Sequence, residues 1–566
     1  MKVSDFIVEF FIKKGITDVF GYPGGMVTHL MDSFDKYKSS IHAHVNYHEQ
    51  ASAFSACGYA QVSMKPGVAY ATSGPGATNL ITGICNAYFD SIPTIFITGQ
   101  VNTFESKREL SVRQKGFQET DIVSMIKDVT KYAVYVEKAD EILYHLEKAY
   151  NLSIDGRPGP VLLDIPMDIL RAVINETTLI GYSPTDNSNE NINLDEVISL
   201  LNNSQRPCIL VGAGVKTSGS VKELRNLAES LQIPIISTML SIDILPSDSK
   251  HNFGFLGAYG HRHANFIIAK SDLIISIGSR LDIRQIGGHK EQFAINAKLI
   301  RIDIDAGELT NKIKENEIQI QIGIKQFLSK LSGRTDIKCR IGNWLNICEE
   351  LKAKLFNLDV KEPNLYIEKI SNQIPDNTII TTDVGQNQVW VAQSFVTKPN
   401  QKILFSGGHG AMGYSLPAAI GAYYASLQPV ICFTGDGGFQ MNIQELQFIS
   451  RERLPIKIIV LNNNSLGMIR HFQEMYFDSN YTQTVRSGGY TNPNFELIAN
   501  AYDLSYMKIE NLDQIFSITF DNLNPAIIEV ILHGNTYVFP KLEFGKPNQD
   551  QEPLLDRKLY DYLMKL

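Results

Sequence analysis

No run in the 566-residue chain approaches the ~20 continuous apolar residues that a membrane-spanning helix needs. Positive charge is not in excess either: 52 Lys and Arg stand against 60 Asp and Glu, a net charge of −8. A surface for a polyanion needs clustered basic residues, so nucleic-acid binding is excluded as a main role. Cysteine is sparse. The six thiols (Cys57, Cys85, Cys208, Cys339, Cys348 and Cys432) are scattered without a CxxC pair, which fits buried reduced thiols in a cytoplasmic protein. The opening segment, MKVSDFIVEFFIKKG, carries charges through its apolar positions and lacks a small-residue cleavage site, so it reads as an amphipathic helix and not a signal peptide.

What the sequence does contain is a repeated alternation. Short β-branched runs, among them Val68–Thr72, Thr94–Thr98, Val161–Ile165, Ile209–Val211, Leu273–Ile277, Leu299–Ile304, Thr378–Thr382, Val430–Thr434, Ile456–Leu461 and Ala526–Val530, are separated by longer amphipathic segments. Apolar runs without polar alternation are strands buried on both faces, which means parallel sheet. The class is therefore α/β, and the length calls for three doubly wound domains of about 150–200 residues. An Asn/Ser-rich stretch at 181–194 and a polar join after the helical run Trp344–Phe356 divide the chain into 1–180, 195–357 and 358–535. A tail, 536–566, keeps Val538, Phe539, Leu542 and Phe544 and is expected to dock on the body.

The strongest chemical signal lies in the third domain. A buried strand ends in Gly435–Asp436–Gly437–Gly438, a helix is expected near Met441–Arg453, and the next strand ends in Asn462–Asn463–Asn464, 27 residues after the aspartate. Adjacent parallel strands joined by one crossover put Asp436 and Asn463 side by side at the carboxyl edge of the sheet, where open α/β sheets bind ligands. One carboxylate, one amide oxygen and a main-chain carbonyl form a hard oxygen site of low charge, suited to Mg²⁺ that is also held by phosphates. The glycines let the backbone approach a diphosphate. Either motif alone reads equally well as a tight turn; their spacing is what resembles the thiamine-diphosphate (ThDP) enzymes.

That resemblance implies Mg²⁺ held by Asp436, Asn463 and Ser465, and a glutamate brought to the cofactor from another domain. The first domain offers Glu49, which opens a helix reading ASAFSACGYAQ after a strand at Ile41–Val45. So many small residues require something to pack very closely against that helix, and a carboxyl buried there could exchange a proton with a ring nitrogen.

Further segments, in order, resemble the acetohydroxyacid (acetolactate) synthases: FGYPGG at 20–25, TSGPGATNL at 72–80, DSIPTIFITGQV at 90–101, FQE at 117–119, RPGPVLLDIP at 157–166, DVGQNQ at 383–388, GGHGAMGYSLPAAIGA at 407–422 and LNNNSLGM at 461–468. The resemblance implies catalytic roles for Glu49, Gly25, Gln118 and Phe117. Val384, Gly385, Gln386 and Asn387 would hold the diphosphate opposite the metal, beside Gly435, Gly437, Gly438, Leu466 and Gly467. Gly410 and Met468 would touch the aminopyrimidine, and Met412 would bend the cofactor. It also implies a homodimer or dimer of dimers with each site between subunits, and a small regulatory subunit as a further partner.

In the same family the central domain binds FAD. Matching positions here are Arg157, Gly212, Gly214, Arg280 and Asp303, although CILVGAG at 208–214 is no dinucleotide fingerprint because Thr217 stands where GxGxxG needs glycine. Two stretches depart from the family: GAYGHRHAN at 257–265 replaces a GMHG-like loop, and SRLDIR at 279–284 carries Ile283 in place of an acid. In the acceptor pocket, Met167 replaces a usual Lys and Phe472 a usual Trp, while Arg284 remains for a carboxylate. Met167 reads equally well as core packing. The implied activity is decarboxylation of pyruvate and addition of the two-carbon unit to a second 2-oxo acid. Ligation to an aldehyde or keto-sugar is the alternative, ahead of an oxidase, a decarboxylase or a non-catalytic regulator.

Overall fold

The computed structural model describes residues 1–184, 193–339 and 341–566, so most of the expected 181–194 linker lies outside the described residues. Three six-stranded, all-parallel sheets succeed one another along the chain. The first contains β1 (Asp18–Gly21), β2 (His42–Val45), β3 (Gly67–Ala71), β4 (Thr94–Gln100), β5 (Tyr132–Tyr135) and β6 (Pro160–Pro166), in the order β2-β1-β3-β4-β6-β5. The second contains β7 (Pro207–Val211), β8 (Ile235–Ser237), β9 (Asn252–Phe255), β10 (Leu273–Ile277), β11 (Lys298–Asp303) and β12 (Ile318–Gln321), in the order β12-β11-β10-β7-β8-β9. The third contains β13 (Ile379–Thr382), β14 (Lys402–Leu404), β15 (Val430–Gly435), β16 (Ile456–Asn462), β17 (Ser505–Ile509) and β18 (Ala526–Ile531), in the order β14-β13-β15-β16-β18-β17. Strands β3, β4, β6, β7, β10 and β16 are buried at every residue. That is why they appear in the sequence as mainly apolar runs without polar alternation.

The first and third sheets share one strand order, while the middle sheet has the order of a dinucleotide-type fold. The helices that carry or border candidate site residues are α1 (Glu49–Ser63), α2 (Arg262–Lys270), α3 (Trp344–Leu355), α4 (Gln386–Ser394), α5 (Ser415–Ser426), α6 (Asp436–Met441) and α7 (Gly467–Tyr476). Helices α1 and α5 come after equivalent strands, β2 and β14, and pack on each other. A Cβ added at Gly58 would lie 2.1 Å from the Ala418 carbonyl oxygen, and one added at Gly421 would lie 1.8 Å from that of Ser55. The two backbones therefore touch through reciprocal glycines. This accounts for the small residues of α1: the close neighbour is α5 of the same chain.

Other ties join these two domains. Glu445 accepts from Asn46 Nδ2 at 2.9 Å and from the Tyr47 amide at 2.8 Å. Asp90 accepts from the amides of Gly407 and Gly408 at 3.0 and 2.7 Å. In the tail, Val538 is buried and the Leu542 amide donates to Ala258 O at 2.7 Å, but Phe544, expected to dock, is 83% exposed. Its ring meets that of Tyr476, 6.3 Å away between centroids, and is otherwise largely open to solvent. No helix among the described residues is long and apolar enough to cross a membrane.

Gly421→Ala should lower unfolding stability by about 2 kcal/mol or more, because a methyl cannot enter a backbone contact without moving a helix. Gly288→Ala, where an added Cβ meets nothing within 4 Å, should be close to neutral in the same denaturant titration.

Candidate active site

Strand β15 delivers Asp436 to the carboxyl edge of the third sheet, paired with β16 so that Gly435 lies opposite Leu461. Asp436 is the first residue of α6. The helix expected near Met441–Arg453 instead begins five residues earlier, stops at Met441, and resumes at Leu446–Glu452 after a short 3₁₀ turn. The glycines after Asp436 read as a turn in the sequence, yet here they form the first turn of a helix, where small residues allow its close seat. Asp436 is 2% exposed; Oδ1 accepts from the Gly437 amide at 2.8 Å, and Oδ2 accepts from the Ser465 amide at 3.1 Å and from Asn492 Nδ2 at 2.7 Å. Burial pushes its carboxyl up to about 6 despite those hydrogen bonds. No basic side chain within 4 Å pairs with it among the described residues.

Asn463 lies beside it, and its Nδ2 donates to Gln386 Oε1 at 2.9 Å. Gln386 opens α4 directly after Gly385, whose φ of +140° suits glycine. Three glycines close the floor. A Cβ at Gly437 would meet Leu466 at 2.6 Å and Met412 at 3.4 Å; one at Gly438 would meet Asp383 at 2.4 Å; one at Gly467 would meet Gln386 at 1.7 Å.

Asp383 staples the two loops that flank this floor. Its Oδ1 accepts from the amides of Val384 and Gly413, both at 2.9 Å, and its Oδ2 from the Ser415 amide at 3.0 Å and hydroxyl at 2.8 Å. Sequence reasoning assigned roles to its neighbours and missed it, as it missed Asn492. The signal for Asp383 was an acid fully inside an apolar strand end. For Asn492 there was none, since it reaches Asp436 from a loop 56 residues away.

Asp436, Asn463 and Gln386 line one cavity of about 840 Å³, whose lining does not include Asp383 or Asn492. Val384, Gly385, Gln386, Asn387, Gly410, Met412, Gly435, Gly437, Gly438, Asn463, Ser465, Leu466, Gly467 and Met468 form its part in the third domain. Arg157, Gly212, Gly214, Arg280 and Asp303 line a lobe of the same cavity toward the central sheet, and Arg284 and Phe472 also border it. In that lobe the Arg157 guanidinium pairs with Asp305 at 2.9 Å and Glu308 at 2.5 Å, and Arg280 lies 3.3 Å from Asp282.

The first-domain residues gather elsewhere. Glu49, Gly25, Gln118, Phe117 and Met167 are not among the residues lining the cavity. Glu49 is 8% exposed, with Oε2 accepting from Asn79 Nδ2 at 2.9 Å and Oε1 3.1 Å from where a Cβ on Gly76 would stand. Thr72 touches the Gly24 backbone and accepts from the Met26 amide at 3.3 Å, and Gly74 abuts Gln118, whose φ is +64°. Glu49, Gly25 and Gln118 thus share the carboxyl edge of the first sheet. Phe117 is 80% exposed beside them, and Met167 comes directly after β6 at that same edge.

Comparison with known proteins places this geometry. The N-terminal TPP binding domain of the thiamine pyrophosphate enzymes matches residues 1–125, the central domain 194–331 and the C-terminal TPP binding domain 383–530. The acetolactate synthase large subunit of Lactococcus lactis is 36% identical, over 96% of this chain and 94% of its own. The isozyme 2 large subunit of Escherichia coli is 32% identical over 97% and 99%, and the chloroplastic enzyme of Arabidopsis thaliana 35% over 96% and 83%. With all three domains present in order, the chain belongs to the thiamine pyrophosphate enzymes and, within them, to the acetolactate synthase-like carboligases.

Proposed function

We propose that the chain decarboxylates pyruvate and adds the two-carbon unit to a second 2-oxo acid, giving a 2-acetolactate-type product. The observation that carries this reading is the buried, unneutralised Asp436 at the floor of the cavity, with unpaired polar atoms around it. Asn387 Oδ1 and the Ser465 hydroxyl are both buried without a partner. A cation-bridged diphosphate supplies what such a site lacks: positive charge for the carboxylate and oxygen atoms for the free groups. Among the described residues no cluster of three or more His, Cys, Asp or Glu could hold a metal alone. Mg²⁺ on Asp436, Asn463 and Ser465 would therefore depend on the diphosphate for its remaining ligands.

Bound there, thiamine diphosphate supplies a thiazolium that accepts the electron pair released when a 2-oxo acid loses carbon dioxide. The protein's part is to orient and to move one proton. Met412 props the floor against Gly437, and Val384–Asn387 offer the amide end of α4 to the phosphates. Glu49, held by Asn79, would exchange a proton with the cofactor's ring nitrogen. Because Glu49, Gly25 and Gln118 lie outside their own chain's cavity, we assign them to the cavity of a second copy, making the active unit a homodimer or a dimer of dimers. The relatives' names, large subunit, support a smaller regulatory partner as well.

The central lobe is assigned to FAD: the cavity stands near the upper end of the ~300–1,000 Å³ range of ligand sites, and Gly212 and Gly214, which line it, seat their backbone against Gly278, where an added Cβ would stand 2.2 and 2.8 Å from its atoms. Domain limits at 180, 195, 357 and 535 and a cytoplasmic location complete the proposal. A second reading comes from Phe472, which is 41% exposed with its ring 4.7 Å from Tyr476: such an aromatic wall also suits a larger carbonyl acceptor, an aldehyde or keto-sugar.

Product analysis with ThDP, Mg²⁺ and pyruvate tests the proposal. Acetolactate at about 1 s⁻¹ or faster is expected; carbon dioxide release without acetolactate would overturn the 2-oxo acid acceptor and favour the second reading. Glu49→Gln should cut turnover by about a hundredfold or more while leaving ThDP affinity in dialysis unchanged, since it removes the proton and keeps the shape. Asp436→Ala should abolish the Mg²⁺ dependence of ThDP binding, measured by the same dialysis with and without the metal.

A further inference from the structure

The GHRHAN stretch, one of the chain's departures from its family, borders a second cavity of about 170 Å³ between the central sheet, the 356–360 connection and the third domain. A cavity of about 150 Å³ holds a molecule the size of benzene, so this one has room for an ion or a small acid but not for a cofactor.

Its polar groups divide into those already satisfied and those not. Arg262 is fully engaged: its guanidinium meets Asp359 at 2.5 and 2.9 Å and the carbonyls of Gln551 and Pro553 at 2.9 and 2.7 Å. His261 accepts at Nδ1 from the Phe255 amide at 3.2 Å and faces the Gln393 carbonyl through Nε2 at 2.9 Å. His263, 1% exposed, has no partner at either ring nitrogen. Lys352 donates to Asn252 O at 3.0 Å and pairs with no carboxylate within 4 Å among the described residues. The N-cap side chain of α2, His261, takes none of the first-turn amides. Of the carboxylates on the lining, Asp359 is consumed by Arg262 and Glu368 sits exposed at the rim.

We propose that this second cavity binds a small anion, a carboxylate or a phosphate, between the start of α2, His263 and Lys352. Donors predominate among the groups with spare capacity: the Lys352 ammonium, which makes one hydrogen bond, to Asn252 O, the amides at the start of a nine-residue helix, and the one N–H of the His263 imidazole, which burial keeps neutral and whose other ring nitrogen is an acceptor. An anion satisfies all three at once, whereas a cation would meet Lys352 and the positive end of the helix. Aromatic walls, Phe255 and Phe356, fit the carbon part of a small acid. Phe255 also lines the large cavity, and Gln393 ties Tyr259 O and Phe539 O at 2.9 and 3.1 Å, so an occupant here touches the wall of the active site.

Equilibrium dialysis of the full chain saturated with ThDP and Mg²⁺, which fill the diphosphate site, tests the proposal with labelled inorganic phosphate and labelled acetate as separate probes. One saturable site per chain is expected for at least one probe, and which probe binds tells phosphate from carboxylate. His263→Leu and Lys352→Met should each weaken that binding about tenfold or more and leave ThDP affinity unchanged. Absence of saturable binding of both probes would overturn the proposal, as would binding undiminished in either correctly folded variant. If one variant fails to fold, the other decides.

Discussion

The backbone contact between α1 and α5 is the constraint on which the arrangement of the site depends. Gly58 and Gly421 let two helices approach until a methyl group on either would collide with a carbonyl. Each helix begins at a point proposed for the site: α1 at Glu49, and α5 just after the loop that carries Gly410, Met412 and Gly413. Because the two sheets share one strand order, the contact joins equivalent elements, and their carboxyl edges are set by the same packing. The polar ties around it keep that register. Asn442 bridges the Gly413 carbonyl at 2.8 Å and Gln50 at 3.5 Å, and Glu445 receives two hydrogen bonds from the turn before α1. Burial pushes the Glu445 carboxyl up to about 7, so this tie sits in a low-dielectric seam and not on the surface.

Electrostatics at the site obey the same logic of incomplete satisfaction. Asp383 and Asp436 are both buried acids whose carboxyls burial pushes up, yet they differ in what surrounds them. Asp383 is saturated by three amides and a hydroxyl, which makes it a staple for the loops. Asp436 is beside atoms that have no partner, which is the ground for proposing it as the cation site. The distinction is readable only from the donors around each carboxylate, since both aspartates stand at strand ends before glycine or valine.

The α/β class was legible because parallel strands buried on both faces read as largely apolar runs; each such run is a strand to within two residues at either end. The meeting of Asp436 and Asn463 at one cavity was legible because they stand at the ends of adjacent strands at a fixed separation in sequence. The identity of the neighbour of α1 was not legible: small residues announce a close contact but carry no address. Asn492 and Tyr490 were invisible for another reason, since they arrive from a loop with no periodicity and their role is set by tertiary closure. The start of α6 was missed because glycine disfavours a helix interior, and here tertiary packing overrides that preference. The separation of Glu49, Gly25 and Gln118 from the large cavity likewise required coordinates.

The central claim is that a working site takes Glu49 from one chain and Asp436 from another. Mixing an inactive Glu49→Gln chain with an inactive Asp436→Ala chain, after dissociation and reassembly, tests it most directly. In a mixed dimer one site receives both substitutions and the other neither, so random pairing should restore about one quarter of the wild-type specific activity. If Glu49 served the cavity of its own chain, every site would carry one substitution, and the mixture would stay as inactive as its parts.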